Sequence, residues 1–244
     1  MANDRRIAVL IDADNVSPQY IKVIFTEVVN HGTPTIKRIY GDWTSPNMGS
    51  WKAMLLEYSI TPIQQYAYTT GKNATDSALI IDAMDTLYGG NVEGFCIVSS
   101  DSDFTRLAAR LRESGMYVVG LGEKKTPRPF VQSCEKFLYL ENLADDDKPE
   151  PPTPRANSTE SDARRQLAGQ IRDIIDEQDG DNDWVLLSEV GRILNKRHPD
   201  FDTRNYGYKN LSKLAASFAK DFDLQMAATD NPLVKNVYIK VKSK

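Results

Sequence analysis

The stretch Asp145-Asp146-Asp147-Lys148-Pro149-Glu150-Pro151-Pro152-Thr153-Pro154 places four of the chain's twelve prolines and four carboxylates within ten residues, with no large apolar side chain to bury. Such a segment favours extended, polyproline-like backbone and cannot join a hydrophobic core. It rules out one continuous fold for the 244 residues. The expected division is a first domain over residues 1–142, an acidic Pro-rich spacer over 143–162 and a second domain over 163–244. Charge follows the same division: 14 basic and 16 acidic groups in the first part, 2 and 6 in the spacer, 14 and 12 in the last. The overall charge of −4 excludes a uniformly basic nucleic-acid coat. From Arg192 onward, however, 11 basic residues stand against 5 acidic ones, a candidate nucleic-acid surface.

Two cysteines, Cys96 and Cys134, are too few for a disulfide framework or a Cys-based zinc site. Cys96 lies inside Gly94-Phe95-Cys96-Ile97-Val98 and reads as a small buried hydrophobe. His31 and His198 are too few for a His-rich metal site. No segment approaches the ~20 apolar residues of a membrane span, and Met1–Arg6 lacks a signal-peptide core. A cytoplasmic protein without membrane contact is expected, its oligomeric state open.

In residues 1–142, apolar runs predict strands at Ile7–Ile11, Thr35–Tyr40, Pro62–Tyr66, Phe95–Ser99, Tyr117–Leu121 and Phe137–Leu140. Helical spacing falls between them: from Ser17-Pro18 to about Asn30, then Trp51–Tyr58, Asp76–Tyr88 and Phe104–Arg112. This alternation predicts an α/β domain, a parallel sheet flanked by helices in three layers. In residues 163–244, helices at Arg164–Gln178, Ser188–Asn195 and Arg204–Phe218 precede strand-like runs Phe222–Ala227 and Val237–Val241, a winged-helix pattern. Trp184, Leu187, Val190, Ile193 and Leu194 read as its core.

Open parallel sheets collect ligands beyond the carboxyl ends of their strands, where strand order reverses. The first strand delivers Asp12-Ala13-Asp14-Asn15 there, and the fourth delivers Ser100-Asp101-Ser102-Asp103. In a 3-2-1-4-5 order Asp12 and Asp101 face each other, with Asp76 approaching from the start of the third helix. Carboxylates so gathered repel unless a cation neutralises them, and oxygen-only ligands favour Mg²⁺ or Mn²⁺. The plain structural alternative is that Asp101 or Asp103 caps the following helix. Asp14 reads as a helix-start residue, Asp42 as peripheral, and Asp82 and Asp85 as a helix face. Asp12-Ala13-Asp14-Asn15-Val16 also fits the nucleophile motif of haloacid-dehalogenase-like phosphatases. Against that, Ser17-Pro18 starts a helix at once and Lys72 precedes Ser99, the reverse of that family's order.

Ile11-Asp12-Ala13-Asp14-Asn15, Tyr40-Gly41-Asp42-Trp43, Lys72-Asn73-Ala74-Thr75-Asp76 and Ser99-Ser100-Asp101-Ser102-Asp103-Phe104 together resemble NYN domains of the PIN-like ribonuclease group, over about residues 5–142. Trp184–Gly191, Pro199-Asp200-Phe201-Asp202 and Tyr206-Gly207-Tyr208 resemble an OST-HTH (LOTUS) winged-helix module. The first resemblance implies Mg²⁺- or Mn²⁺-dependent RNA cleavage, with Asp12, Asp76, Asp101 and Asp103 as catalytic and metal-holding acids. Asn15 matches the family's Asn beside the first acid. Substrate candidates are Tyr66, Tyr68 and Lys72 on the approach segment, and Lys124, Lys125 and Arg128 on the loop after the fifth strand. The second resemblance implies RNA, single-stranded or structured, or alternatively a protein partner. Its contact candidates are Arg197, Arg204, Tyr206, Tyr208, Lys209 and Lys213. A non-catalytic RNA-binding adaptor is the competing reading of the whole.

Overall fold

In a computed structural model the protein is described over residues 4–66, 74–145, 158–178, 184–228 and 235–242. The chain divides into two compact units, Met1–Lys148 and Pro149–Lys244.

The first unit is built on a six-stranded parallel sheet: β1 (Arg6–Asp12), β2 (Thr33–Gly41), β3 (Thr61–Gln64), β4 (Gly94–Val98), β5 (Tyr117–Gly122) and β6 (Lys136–Tyr139). Their order is β3-β2-β1-β4-β5-β6, so the order reverses between the neighbours β1 and β4. These central strands are apolar along almost their whole length because both faces are covered. Ile7, Val9 and Ile11 meet α1 (Ile21–Val28), α2 (Gly49–Glu57) and α6 (Leu140–Asp145) in one core. Ala8 and Leu10 face a second core formed with α3 (Ala74–Tyr88), α4 (Thr105–Glu113) and α5 (Arg128–Ser133). Three layers around one parallel sheet result, as the alternation of runs implies.

Details differ from expectation where local backbone chemistry intervenes. The third strand ends at Gln64, leaving Tyr66 beyond it and half-exposed. Pro18–Tyr20 form a 3-10 turn before α1, which ends at Val28 rather than Asn30. Arg128 lies on a helix, not a loop: Pro129 in the first turn of α5 presets helical backbone, and Phe130 and Val131 anchor the turn in the core. At the end of β5, a Cβ on Gly122 would stand 2.6 Å from the Ser99 carbonyl oxygen. Only a residue without one lets β5 close on the tip of β4.

The second unit packs α7 (Ser158–Asp176), α8 (Leu187–Arg197) and α9 (Leu211–Ala216) against β7 (Val185–Leu186), β8 (Phe222–Ala228) and β9 (Lys235–Val241). The strands form an antiparallel sheet ordered β7-β9-β8, the winged-helix pattern with one strand more than the sequence suggests. Leu167, Ile171 and Ile174 supply the stripe of α7, which meets Val190, Leu194, Leu214 and Ile239. The predicted helix Arg204–Phe218 is two pieces. A 3-10 turn, Thr203–Tyr206, ends at Gly207 with φ 79°, and the Asn210 side chain caps α9 by accepting from the Lys213 N–H at 2.9 Å. Left-handed backbone at glycine stops a helix, and an Asn cap starts the next. Trp184, expected in the core, lies outside it. Helices also occupy both margins of the predicted spacer, since α6 runs to Asp145 and α7 begins at Ser158.

Candidate functional site

The carboxyl end of β1 places Asp12 at the crevice beside β4, fully buried. Its Oδ2 accepts from Ser99 Oγ at 2.7 Å and from Asn15 Nδ2 at 2.8 Å, and its Oδ1 from the Asp14 N–H at 3.1 Å. Burial raises the Asp12 pKa, and the Ser99 and Asn15 hydrogen bonds oppose that rise by favouring the ionised form. Ser99 also accepts from the Asp101 N–H at 3.1 Å, so one hydroxyl links the tips of β1 and β4. Asp101 in turn caps the turn Ser102–Phe104, accepting from the Asp103 N–H at 2.9 Å. The capping role weighed for it is therefore real, and it holds the carboxylate at the mouth of the crevice.

Asp76 is buried in the first turn of α3. Its carboxyl is pushed up to about 6, first by burial and then by the charges of Asp12, Asp101, Asp103 and Asp14. Asp76 thus lies within electrostatic reach of the other three predicted acids and of Asp14, which the sequence reading assigned to the helix start. Among the described residues, no three His, Cys, Asp or Glu side chains form a group able to hold a metal ion. The donors present still suit a hard cation that takes one or two carboxylates and keeps its waters, the habit of Mg²⁺. A cation would also relieve the crowding that raises Asp76.

Behind the acids lies a contact that sequence spacing does not reveal. Asp82, read as a helix face, is half-buried and accepts from Arg38 through one carboxylate oxygen and from the Tyr40 hydroxyl through the other. Tyr40 is the register partner of Asp12 in β2, and its carbonyl accepts from the Ala13 N–H at 3.0 Å. Burial and the neighbouring Asp82 raise the pKa of Tyr40, keeping it a hydroxyl donor. This corrects the reading of Asp82: it fastens α3 to β2 beside the site.

The remaining candidates scatter. Tyr68 and Lys72 fall outside the described residues. Lys124 and Arg128 are exposed, while Lys125 pairs with Glu123 at 2.9 Å. In the second unit, Arg197 pairs with Glu177, and Arg204 is held by Asp202 at 2.6 and 3.0 Å. Tyr206 leans on Phe201 with ring centroids 6.3 Å apart, and the Arg164 guanidinium covers Tyr208 at 5.6 Å. Arg197, Lys209 and Lys213 are the exposed members of these six. Among the described residues no helix is long and apolar enough to cross a membrane.

Comparison with known proteins agrees with this architecture. The NYN domain family matches residues 6–141, and the OST-HTH/LOTUS domain matches residues 164–234. No curated protein matches the sequence. Among solved structures, the chain is similar to a protein of unknown function, VPA0982, from Vibrio parahaemolyticus. The two are 16% identical with a TM-score of 0.47, over 56% of this chain and 93% of that one. The chain belongs to the NYN family and carries an OST-HTH/LOTUS domain after its NYN domain.

Proposed function

We propose that the first unit is a Mg²⁺- or Mn²⁺-dependent ribonuclease that hydrolyses RNA phosphodiester bonds, and that the second unit contacts RNA. The observation that carries this reading is the set of carboxylates near the reversal of strand order, where burial first and then their charges raise Asp76. A divalent cation bound there would neutralise phosphate charge and acidify water. Asp12, fixed in one orientation by Ser99 and Asn15, and Asp101, fixed by its turn, would hold it. Asp76, its carboxyl pushed up to about 6, would orient the attacking water. Asp103 would help to hold the cation, and exposed Lys124 would meet the phosphate chain. The haloacid-dehalogenase-like alternative loses ground, because the 3-10 turn at Pro18 and α1 follow Asp12 directly and leave no room for a flap.

The second reading, an RNA-binding adaptor without chemistry, draws on the same site having no group of three ligands among the described residues. Incubating the full chain with labelled single-stranded RNA in Mg²⁺, Mn²⁺ or EDTA separates the two. Metal-dependent cleavage that vanishes in Asp12→Asn is expected. Binding without cleavage in every metal would establish the adaptor instead.

A further inference from the structure

The sheet of the second unit has a face that its core does not cover. Val185 pairs with Ile239, and Ile239 with Leu224, and these three point into the core. Pleating sends the alternate residues the other way. Leu186 stands opposite Tyr238, and the Lys240 ammonium lies 5.8 Å from the centre of the Trp184 ring. Trp184, Leu186 and Tyr238 are each partly exposed, and none packs against the core cluster of this unit. Two aromatic side chains, an aliphatic one and a lysine therefore share a sheet face that the fold does not need for its own interior.

Its chemistry narrows the occupant. Asp223, the register partner of Lys240 on this face, also has Lys242 Nζ 3.4 Å away, so two lysines stand against one carboxylate where a phosphate would approach. The face is a pleated surface, not a groove of the kind an amphipathic helix fills. Trp184, one residue before β7, lies beside Lys240, and Tyr238 stands two residues from Lys240 along β9, about 7 Å of strand. That exceeds the ~3.4 Å rise per nucleotide along one strand of a duplex, so successive bases must part to cover both rings. A single strand permits this and a duplex resists it.

We infer that the outer face of the β7-β9-β8 sheet binds single-stranded RNA, with unpaired bases stacked on Trp184 and Tyr238 and the intervening phosphate beside Lys240. This deepens the proposed function and rests on its RNA reading. It moves the contact away from Arg197, Arg204 and Tyr208 to the outer face of the sheet.

The test is fluorescence anisotropy of the full chain with a labelled ten-nucleotide oligouridylate, in EDTA to prevent cleavage. Trp184→Ala and Tyr238→Ala should each raise Kd roughly 5- to 100-fold, the range of base–aromatic stacking. Trp184→Phe and Tyr238→Phe, which keep a ring, should bind within about threefold of wild type and show that the alanine effects are not misfolding. Lys240→Gln should flatten the slope of log Kd against log salt by about 0.7. Alanine variants that bind as wild type while Lys209→Gln and Lys213→Gln lose binding would overturn the sheet surface and leave the RNA reading standing. Preference for duplex over single strand of the same sequence would overturn it too. A wild-type chain that binds no RNA would overturn both.

Discussion

In the first unit, carboxylates crowd Asp76 and, among the described residues, no arginine or lysine is hydrogen-bonded to Asp12, whereas in the second Arg192, Arg197 and Arg204 each lie against a carboxylate of their own unit. Like charges packed at strand ends oppose folding, and the parallel sheet holds them there all the same. Paired charges on the winged-helix unit ask nothing of a ligand. The difference separates a cluster of like charges from arginines held in pairs.

The strongest way to break this contrast is at Ser99, whose hydroxyl holds both β1 and β4 acids. Ser99→Ala should weaken Mn²⁺-dependent cleavage and metal affinity by roughly 10- to 100-fold, as loss of a ligand-orienting partner does. Cleavage kinetics and a Mn²⁺-titrated melt measure it; unchanged values would mean that Asp12 needs no orienting. Next, the half-buried, capped pair of the second unit can be opened. Arg204→Ala should cost about 1–3 kcal/mol by urea denaturation, because Asp202 keeps its burial and loses its cation.

Asp76→Asn tests the opposite sign. Its carboxyl holds a proton more tightly folded (about 6) than unfolded (3.8), so its contribution to stability is complete below about pH 4 and lost as pH rises through 6. The amide should therefore stabilise the metal-free protein by about 1–2 kcal/mol at pH 7.5 and by nothing at pH 4. Stability curves at the two pH values decide it, and equal shifts at both would show that charge crowding is not the cause. The smallest effect belongs to Arg192→Ala. Its exposed pair with Glu189 should be worth less than about 0.5 kcal/mol, which sharpens the contrast with Arg204.

The sheet was legible in the sequence because strands buried on both faces read as apolar runs, and β1 and β4 carry their acids immediately after those runs. The orientation of the acids was not. Ser99 and Asp12 meet across 87 residues, and Arg38, Tyr40 and Asp82 across more than forty, distances at which no local pattern survives. Six-residue α5 and α6 are too short to show a period. In the second unit, Gly207 and Asn210 sit inside an apolar spacing that suggests one helix, and backbone chemistry overrides it. Trp184 misleads for a related reason: it stands just before β7, and Val185, not Trp184, takes the inner side.

The attachment of Asp82 to β2 has a mechanical meaning. Asp82 follows Asp76 by six residues, about 9 Å along the axis of α3. A helix pivoting by ~10° about that anchor would swing its first turn by about 1.5 Å, and an error of ~1 Å in placing a reacting group can cost ~100-fold in rate. Because Arg38 and Tyr40 hold both oxygens of one carboxylate, the pivot has two arms and resists rotation as well as sliding. The position of Asp76 is then fixed nearly two turns away, by a fulcrum outside the group of acids that act on it.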